Sequence, residues 1–463
     1  MEETIHIYYT NDLHSHFGYW PQVVGFLKEK QAENNIAGKT SWRVDIGDHV
    51  DRVHPVAEAF MGKANVQLLN EAGYDVVTLG NNEGITVSHD DLHDLYADAN
   101  FSVVCANLSS TRQLSPSWLQ TTVQKQSIHG VKVGFIGLTA PFNDYYELLD
   151  WYVAPPYETL DTQIHQLKQS CDIIVLLSHL GINDDQEIAR RYPDIDVIIG
   201  GHTHHLLRTG ETINETILTA AGKHCRFVGE VILTWDHETK QLVNKEAYTT
   251  DITHMAKDMQ TANTLHLLED DAHRKLSVTV GYVSTPLTAR WFRHTDLMQK
   301  LTDTMLLWTK ADCAMLNAGL IVDDLPGGAI TYGDIHRVCP HPINPCVVEL
   351  TGAELLEVVR VSLTKEFMEI KLKGFGFRGE VIGRMIFSGI DVVTDVRDDG
   401  EEVVQGVTMN GHPLERDTVY RLATADTFTF GRLLPEIAKS EYKAFFLPEF
   451  LRDLLVKSIQ DDQ

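Results

Sequence analysis

The chain has 463 residues, 43% of them apolar, with 65 acidic against 39 basic side chains and a formal charge of −26. That length exceeds one ordinary hydrophobic core and predicts two domains, or three; the composition is globular and excludes a disordered chain. The acidic surface repels polyanions, so nucleic acid is not an expected partner, and no run of 18 apolar residues exists to span a membrane.

In chain order, TIHIYYT (4–10) reads as a strand ending in the polar NDLHSH, and a helix is expected from about Pro21 to Asn34. SWRVDIGD (41–48) reads as a second strand, 55–72 as helical, YDVVTLGNNE (74–83) as a third strand and FSVVCANL (101–108) as a fourth. HGVKVGFIGLT (129–139) reads as a hairpin or strand. A helix at 158–170 leads into CDIIVLLSHLG (171–181), and IDVIIGGHTHH (195–205) repeats that pattern. Aliphatic runs alternating with helices predict buried strands in a layered α/β domain. Residues 226–248 read as its closing strands. The polar segment 251–276 reads as a helix leading out, which gives a first domain at 1–250, a helical linker at 251–280 and a second domain at 281–463. The second domain reads as α+β, with a helix at 350–363 and strand-like runs at 379–387, 390–396 and 403–409. KGFGFRG (373–379) has neither a Walker A ending nor a place after a strand, so it predicts a mobile segment or pocket rim and not a phosphate-binding loop.

Polar residues of metal-binding type recur just after the aliphatic strands: Asp12 and His14, Asp48, Asn81, His179, then His202 and His204. Strand ends of α/β sheets are where ligands collect. In an extended segment, alternate side chains share a face, so the 12/14 and 202/204 spacings each predict two donors aimed one way. Oxygen and nitrogen donors suit zinc, manganese or iron. Two divalent ions bring +4 against −2 from Asp12 and Asp48 and −1 from a bridging hydroxide, leaving a centre positive enough to hold a phosphate.

The six cysteines form no CxxC pair and give no zinc-ribbon or disulfide framework. MEETIHIYYTNDLH has none of the basic and apolar regions of a signal peptide, so the expected location is cytoplasmic.

DLH, GDHVD, GNNE, SHLG and GGHTHH, in that order, resemble the motifs of the calcineurin-like metallophosphoesterases, in the 5′-nucleotidase (UshA-type) branch. The resemblance spans almost the whole chain, strongly over 6–205 and more weakly over 281–463. It implies a sandwich of two β-sheets flanked by helices, followed by an α+β 5′-nucleotidase C-terminal-like domain. It also implies two divalent metal ions (Mn, Zn or Fe): the first held by Asp12, His14 and His204, the second by Asn81, His179 and His202, with Asp48 bridging. A hydroxide between the ions then attacks phosphorus in line.

The sequence departs from that family where a histidine normally follows the GN pair: Asn82 stands there, and Ile85 stands at the position of the aspartate partner. An amide donates a neutral hydrogen bond but does not readily supply a proton. Substitutes are expected nearby, among His49, Arg52 and His89. GDHVDR resembles the GDxVDR motif of protein phosphatases, whose arginine contacts phosphate, which makes Arg52 the preferred phosphate contact and Asn82, Arg52 and His49 the candidate catalytic set.

In the second domain, LNAGLIV (316–322) resembles the family's NAGGIR segment, retaining Asn317 and Gly319 with Val322 in place of the arginine. ATADTFTFGR resembles the segment bearing a base-stacking Phe, which makes Phe428 the candidate for holding a flat ring. Asn317, Gly319 and Phe428 are therefore the expected substrate contacts. The expected substrate is a small phosphate ester, a nucleoside 5′-monophosphate first. A cyclic-nucleotide phosphodiesterase or nucleotide-sugar pyrophosphatase stands as the alternative enzyme, and a metal-stabilised phosphometabolite-binding protein as the alternative of another class. The sequence does not fix an oligomeric state.

Overall fold

The computed structural model describes residues 1–397, 402–431 and 433–460. They divide into two units, Met1–Ala272 and His273–Gln463.

The first unit contains a two-stranded sheet, Leu108–Ser110 with Trp151–Val153, and two large ones. One has seven strands in the order Gln241–Asp251, Phe227–Asp236, Glu2–Thr10, Thr40–Asp45, Val76–Val77, Ser102–Val104 and Leu119–Gln120. The other has six: Glu211–Ile213, Thr216–Thr219, Val197–Gly200, Ile173–His179, Lys132–Thr139 and Thr122–Gln126. Period-two patterning shows which face of each strand packs where. Val175 and Leu177 join Ile5, Ile7, Val44 and Phe135 in the core between the sheets. Their neighbours Ile174 and Leu176 face the other way, against Leu160 and Ile164 of helix Pro156–Ser170 and Ile188 of helix Ile182–Arg191. This is the α/β sandwich expected from the sequence. Strand Glu2–Thr10 runs parallel to Thr40–Asp45, and Ile173–His179 runs parallel to Val197–Gly200. The polar segments that follow these strands therefore emerge at the same ends of their sheets.

Several elements differ from expectation. The helix expected over 55–72 is two helices, Pro55–Phe60 and Lys63–Glu71, separated by Met61 and Gly62 in left-handed conformations (φ 47° and 81°). The strand expected over 74–83 is only Val76–Val77, because GNNE opens a short helix, Asn81–Ile85, with Glu83 reaching back to its start. The run 379–387 forms a strand only over Met385–Ser388. Upstream of it, the Ile382 carbonyl accepts from the Asn317 amide (2.8 Å) and the Gly319 N–H (2.9 Å) instead of joining a ladder.

The second unit has a five-stranded sheet, Met385–Ser388, Cys313–Asn317, Val419–Ala425, Pro345–Thr351 and Lys443–Phe445, with one large apolar core that includes Leu301, Met305, Leu355 and Leu455. Helix Gly352–Ser362 starts at a reciprocal cap in which Thr351 Oγ1 accepts from Glu354 N–H and the Glu354 carboxylate accepts from Thr351 N–H.

Candidate metal centre

The donors expected at the strand ends are brought together, though not by extended backbone. Asp12, His14, Asp48, His202 and His204 all have positive φ, between 49° and 67°. Left-handed backbone in non-glycine residues costs about 1–3 kcal/mol each and persists only where the surroundings impose it. The surroundings are visible here: Asp12 N–H donates to Gly47 O (3.1 Å), His14 N–H to Asp48 O (2.8 Å) and Ser15 N–H to His49 O (3.0 Å). The 10–15 and 46–49 loops thus hold each other, and tight loops, not alternate positions on an extended strand, aim these side chains.

Two clusters result, Asp12–His14–His204 and Asp48–His179–His202, and within each the ligand atoms lie within 4.8 Å of one another. Asp48 faces both: its Oδ2 is 3.7 Å from His14 Nε2 and its Oδ1 is 3.4 Å from His179 Nε2. The His14 and His204 Nε2 atoms are 3.0 Å apart, and Asp12 Oδ1 lies 3.4 Å from the latter. His179 Nε2 and Asn81 Oδ1 are buried and have no hydrogen-bond partner. Buried polar atoms are ordinarily satisfied, so an orphaned imidazole nitrogen 3.4 Å from the Asp48 carboxylate, with an orphaned amide oxygen at Asn81, fits a site for divalent cations. The charges agree with that fit. Burial opposes ionisation of His179, but Asp48 beside it pushes the imidazole up to about 10. Burial likewise raises the Asp48 carboxyl, yet His179 and His14 hold it well below the carboxylate range.

The centre is clamped from behind. The Glu83 carboxylate, fully buried, accepts from Asp48 N–H (2.9 Å), Gly80 N–H (2.9 Å) and Val50 N–H (2.8 Å). Gly80 is required: a Cβ there would lie 2.1 Å from Asp48 Oδ1. Asn11 ties Asp12 Oδ2 (2.6 Å) to the carbonyl of Gly222 (2.6 Å).

The expected catalytic set fares differently. Asn82 is at the centre: its N–H donates to Asp48 Oδ1 (2.8 Å), and its side-chain Nδ2 lies 3.1 Å from His14 Nδ1 and 3.2 Å from Val50 O. Arg52 as phosphate contact is corrected. Its guanidinium is buried, with Nε and Nη2 donating to Glu58 (2.9 and 3.0 Å) and Nη1 to Thr86 O (2.7 Å), so the fork is spent inside the protein. His49 is corrected as well. Its ring is buried edge-on against Trp20, its Nδ1 sits 3.1 Å from Asn65, and burial pushes it down to about 3, a neutral core imidazole. His89 is likewise buried, stacked on Trp151 and 2.9 Å from Ser110 Oγ.

In the second unit, all three expected substrate contacts serve packing. Asn317 is buried and bonded to Ile382 O, a Cβ at Gly319 would meet Val381 O at 1.9 Å, and Phe428 is 1% exposed within the core. The ring that reaches the surface is two residues on: Phe430, 39% exposed, stacks on Phe375 with centroids 5.2 Å apart. The segment Asp426–Phe430 is a 3-10 helix, whose three residues per turn send rings two positions apart in different directions.

One feature has no signal in the sequence, a stacked pair formed by His16 and His224, whose ring centroids are 3.6 Å apart and whose His224 ring sits edge-on to His14. His224 reaches it because its N–H donates to Asp12 O (2.8 Å).

Comparison with known proteins gives a consistent pattern. The calcineurin-like phosphoesterase profile matches residues 5–206, and the 5′-nucleotidase C-terminal domain profile matches 277–432. The uncharacterized metallophosphoesterase YunD of Bacillus subtilis (strain 168) is 40% identical over 456 residues, 98% of this chain and 99% of YunD. The NAD nucleotidase NadN of Haemophilus influenzae superposes with a TM-score of 0.70 over 100% of this chain and 97% of its own, at 16% identity, a likeness of fold. Two expectations change. A snake venom 5′-nucleotidase of Crotalus adamanteus, 22% identical over 78% of this chain and 68% of its own, belongs to a secretion, which overturns the cytoplasmic assignment. Endonuclease YhcR of B. subtilis, 24% identical over 82% of this chain but only 33% of its own length, removes the ground for excluding nucleic acid. Among the described residues no helix is long and apolar enough to cross a membrane.

Proposed function

This chain belongs to the calcineurin-like metallophosphoesterases of the 5′-nucleotidase kind and hydrolyses a phosphate ester at a binuclear metal centre, and we propose that its substrate is a nucleoside 5′-monophosphate. The observation that carries the reading is Asp48, whose two oxygens each face a different imidazole cluster. Asp12, His14 and His204 hold one divalent ion in this reading; Asn81, His179 and His202 hold the other; Asp48 bridges. Bound there, two ions supply hydroxide at neutral pH and positive charge for the phosphoryl oxygens.

The chain's own residues do the rest. Glu83 and Gly80 fix where Asp48 stands, and the Asn11 amide fixes Asp12. Asn82 offers an amide N–H beside the centre where the family carries an imidazole. It orients or stabilises an oxygen but does not protonate a leaving group. In the second unit, Phe430 with Phe375 behind it presents an exposed flat apolar surface of the kind a nucleobase stacks on.

The test is a panel of 5′-nucleotides, 2′,3′-cyclic nucleotides, nucleotide sugars and an activated aryl phosphate, assayed with manganese or zinc, with Asp48→Asn as control. Diester and sugar-nucleotide cleavage is read by product chromatography. Hydrolysis of 5′-AMP that disappears in the control supports the nucleotidase reading. Asn82 favours one second reading: without an imidazole acid, substrates with better leaving groups, such as diesters or pyrophosphates, react preferentially. Turnover confined to those substrates would replace the first reading with the second. Metal binding with no turnover at all would favour a phosphometabolite-binding protein.

A further inference from the structure

His14 has two neighbours competing for one nitrogen. Its Nε2 faces the ligand cluster, 3.7 Å from Asp48 Oδ2 and 3.8 Å from Asp12 Oδ1. Its Nδ1 faces away, 3.5 Å from Asp51 Oδ2 and 3.1 Å from Asn82 Nδ2. A neutral imidazole carries one hydrogen. A cation on Nε2 takes the lone pair there and puts that hydrogen on Nδ1, which then needs an acceptor. Asp51 Oδ2 is an acceptor. Asn82 Nδ2 is a donor, and its orientation is set by Val50 O, 3.2 Å away, which needs the N–H side of the amide. The two neighbours therefore select opposite tautomers: Asn82 the one with hydrogen on Nε2, which cannot ligate, and Asp51 the one that can.

We propose that Asp51 is the positioning residue for this centre, accepting the Nδ1 hydrogen of His14 and holding Nε2 free for a divalent cation, and that Asn82 is the opposing donor that yields when the cation binds. Asp51 is built for the part. It is 2% exposed, its N–H donates to Ser15 Oγ (2.9 Å), its Oδ1 accepts from Val53 N–H (3.0 Å), and its Oδ2 lies 3.5 Å from the ring nitrogen. The acidic residue of GDHVDR thereby acquires a role, while the arginine after it is a core ion pair. Asn82, in the position of the family's histidine, then tunes metal occupancy as well as facing substrate.

The inference rests on the reading of His14 as a ligand, and its test separates the two. Manganese affinity and stoichiometry are measured by competition with a chelator, with thermal melting of the metal-free protein as the folding control. Asp51→Asn keeps size and packing. Its single oxygen goes to Val53 N–H, and its NH2 is left facing Nδ1, a donor in an acceptor's place. One of the two ions should bind about 10–100-fold more weakly, the other little changed. Adding Asn82→Asp to Asp51→Asn restores an acceptor on the other side of the ring and should recover most of the lost affinity. Asn82→Ala alone removes the competing donor and should leave affinity unchanged or raised, which also tests the proposal if the Asp51 variant does not fold. Wild-type affinity for both ions in Asp51→Asn, or a loss in Asn82→Ala, overturns the proposal and leaves the binuclear reading intact. Fewer than two ions on the wild-type chain overturns both.

Discussion

His179 Nε2 stands 3.4 Å from Asp48 Oδ1, both side chains buried, in a geometry that leaves the imidazole nitrogen without a hydrogen bond. In the metal-free chain a proton occupies the place of a cation: Asp48 outweighs burial and pushes His179 up to about 10, from an ordinary value near 6.5. A ligating nitrogen must be unprotonated, so metal binding at any pH below about 10 displaces that proton. The sign follows: affinity rises with pH across the neutral range, by roughly tenfold per unit for each proton released. Calorimetric titration of zinc or manganese at pH 7.5 in buffers of different ionisation enthalpy should show release of about one proton or more per chain. Affinity flat between pH 6 and 8 would remove His179 from the ligand set.

Gly80→Ala should empty the centre without disturbing the second unit. The added Cβ would lie 2.1 Å from Asp48 Oδ1 and 2.4 Å from Asp48 N, and neither can retreat while Glu83 holds the same loop. Metal content after gel filtration should fall at least about tenfold, since both clusters share Asp48 and ligand geometry tolerates little displacement. A variant that retains two ions would mean that the loop has slack the hydrogen bonds do not suggest.

Glu83→Ala attacks the clamp itself. Three backbone N–H groups would lose a carboxylate in a site closed to water, at roughly 1–3 kcal/mol for each orphaned donor. We expect a stability loss of about 3 kcal/mol or more in urea unfolding of the metal-free chain. Glu83→Gln, with one acceptor oxygen left, should fall between that variant and the wild type.

How much of this was legible in the sequence depends on what each residue does. The donor positions were legible because strand ends place them: Asp12, Asp48, His179 and His202 each come at or after the end of an aliphatic run, and the sheets bring the run ends together. The backbone that aims them was not, since the left-handed φ at Asp12 and His14 goes with hydrogen bonds to a loop distant in the chain. Arg52 misled for a related reason. A motif specifies a residue and its spacing, whereas the buried Glu58 six residues on decides where the guanidinium goes. Phe428 and Phe430 were not separable by motif either, because Asp426–Phe430 is a 3-10 helix, whose three residues per turn send one ring into the core and the other to the surface. His224 carried no signal, because it approaches His14 only through a backbone bond to Asp12.

Arg52→Ala distinguishes a core ion pair from a substrate contact. Arg52 and Glu58 side chains are 7% and 1% exposed, and removing one partner strands the other's charge. That costs about 3–5 kcal/mol. The expected outcome is a large drop in urea midpoint, with KM for the folded enzyme within about twofold of wild type. A tenfold rise in KM with stability preserved would return Arg52 to the phosphate.

His341 makes the second unit sensitive to acid. The ring is fully buried, stacked on Phe377 at 2°. Its Nδ1 accepts from Arg378 N–H (2.9 Å) and its Nε2 donates to Leu320 O (2.9 Å). Both nitrogens are used, and the acceptor is lost if the ring takes a proton. Burial accordingly pushes His341 down to about 3 from an ordinary 6.5. Between those values the unfolded chain binds a proton that the folded chain refuses, so stability falls as pH drops through 6.5 and the loss is complete only near 3. At pH 5 the contribution is about 2 kcal/mol relative to neutral pH. His341→Gln keeps a donor and an acceptor but cannot titrate. Urea unfolding of the full chain between pH 5 and 6 should therefore lose about 1.4 kcal/mol per pH unit of its slope in this variant, whatever its stability at pH 7. An unchanged slope would mean that the ring is protonated in the folded chain and that the Arg378 N–H has another acceptor.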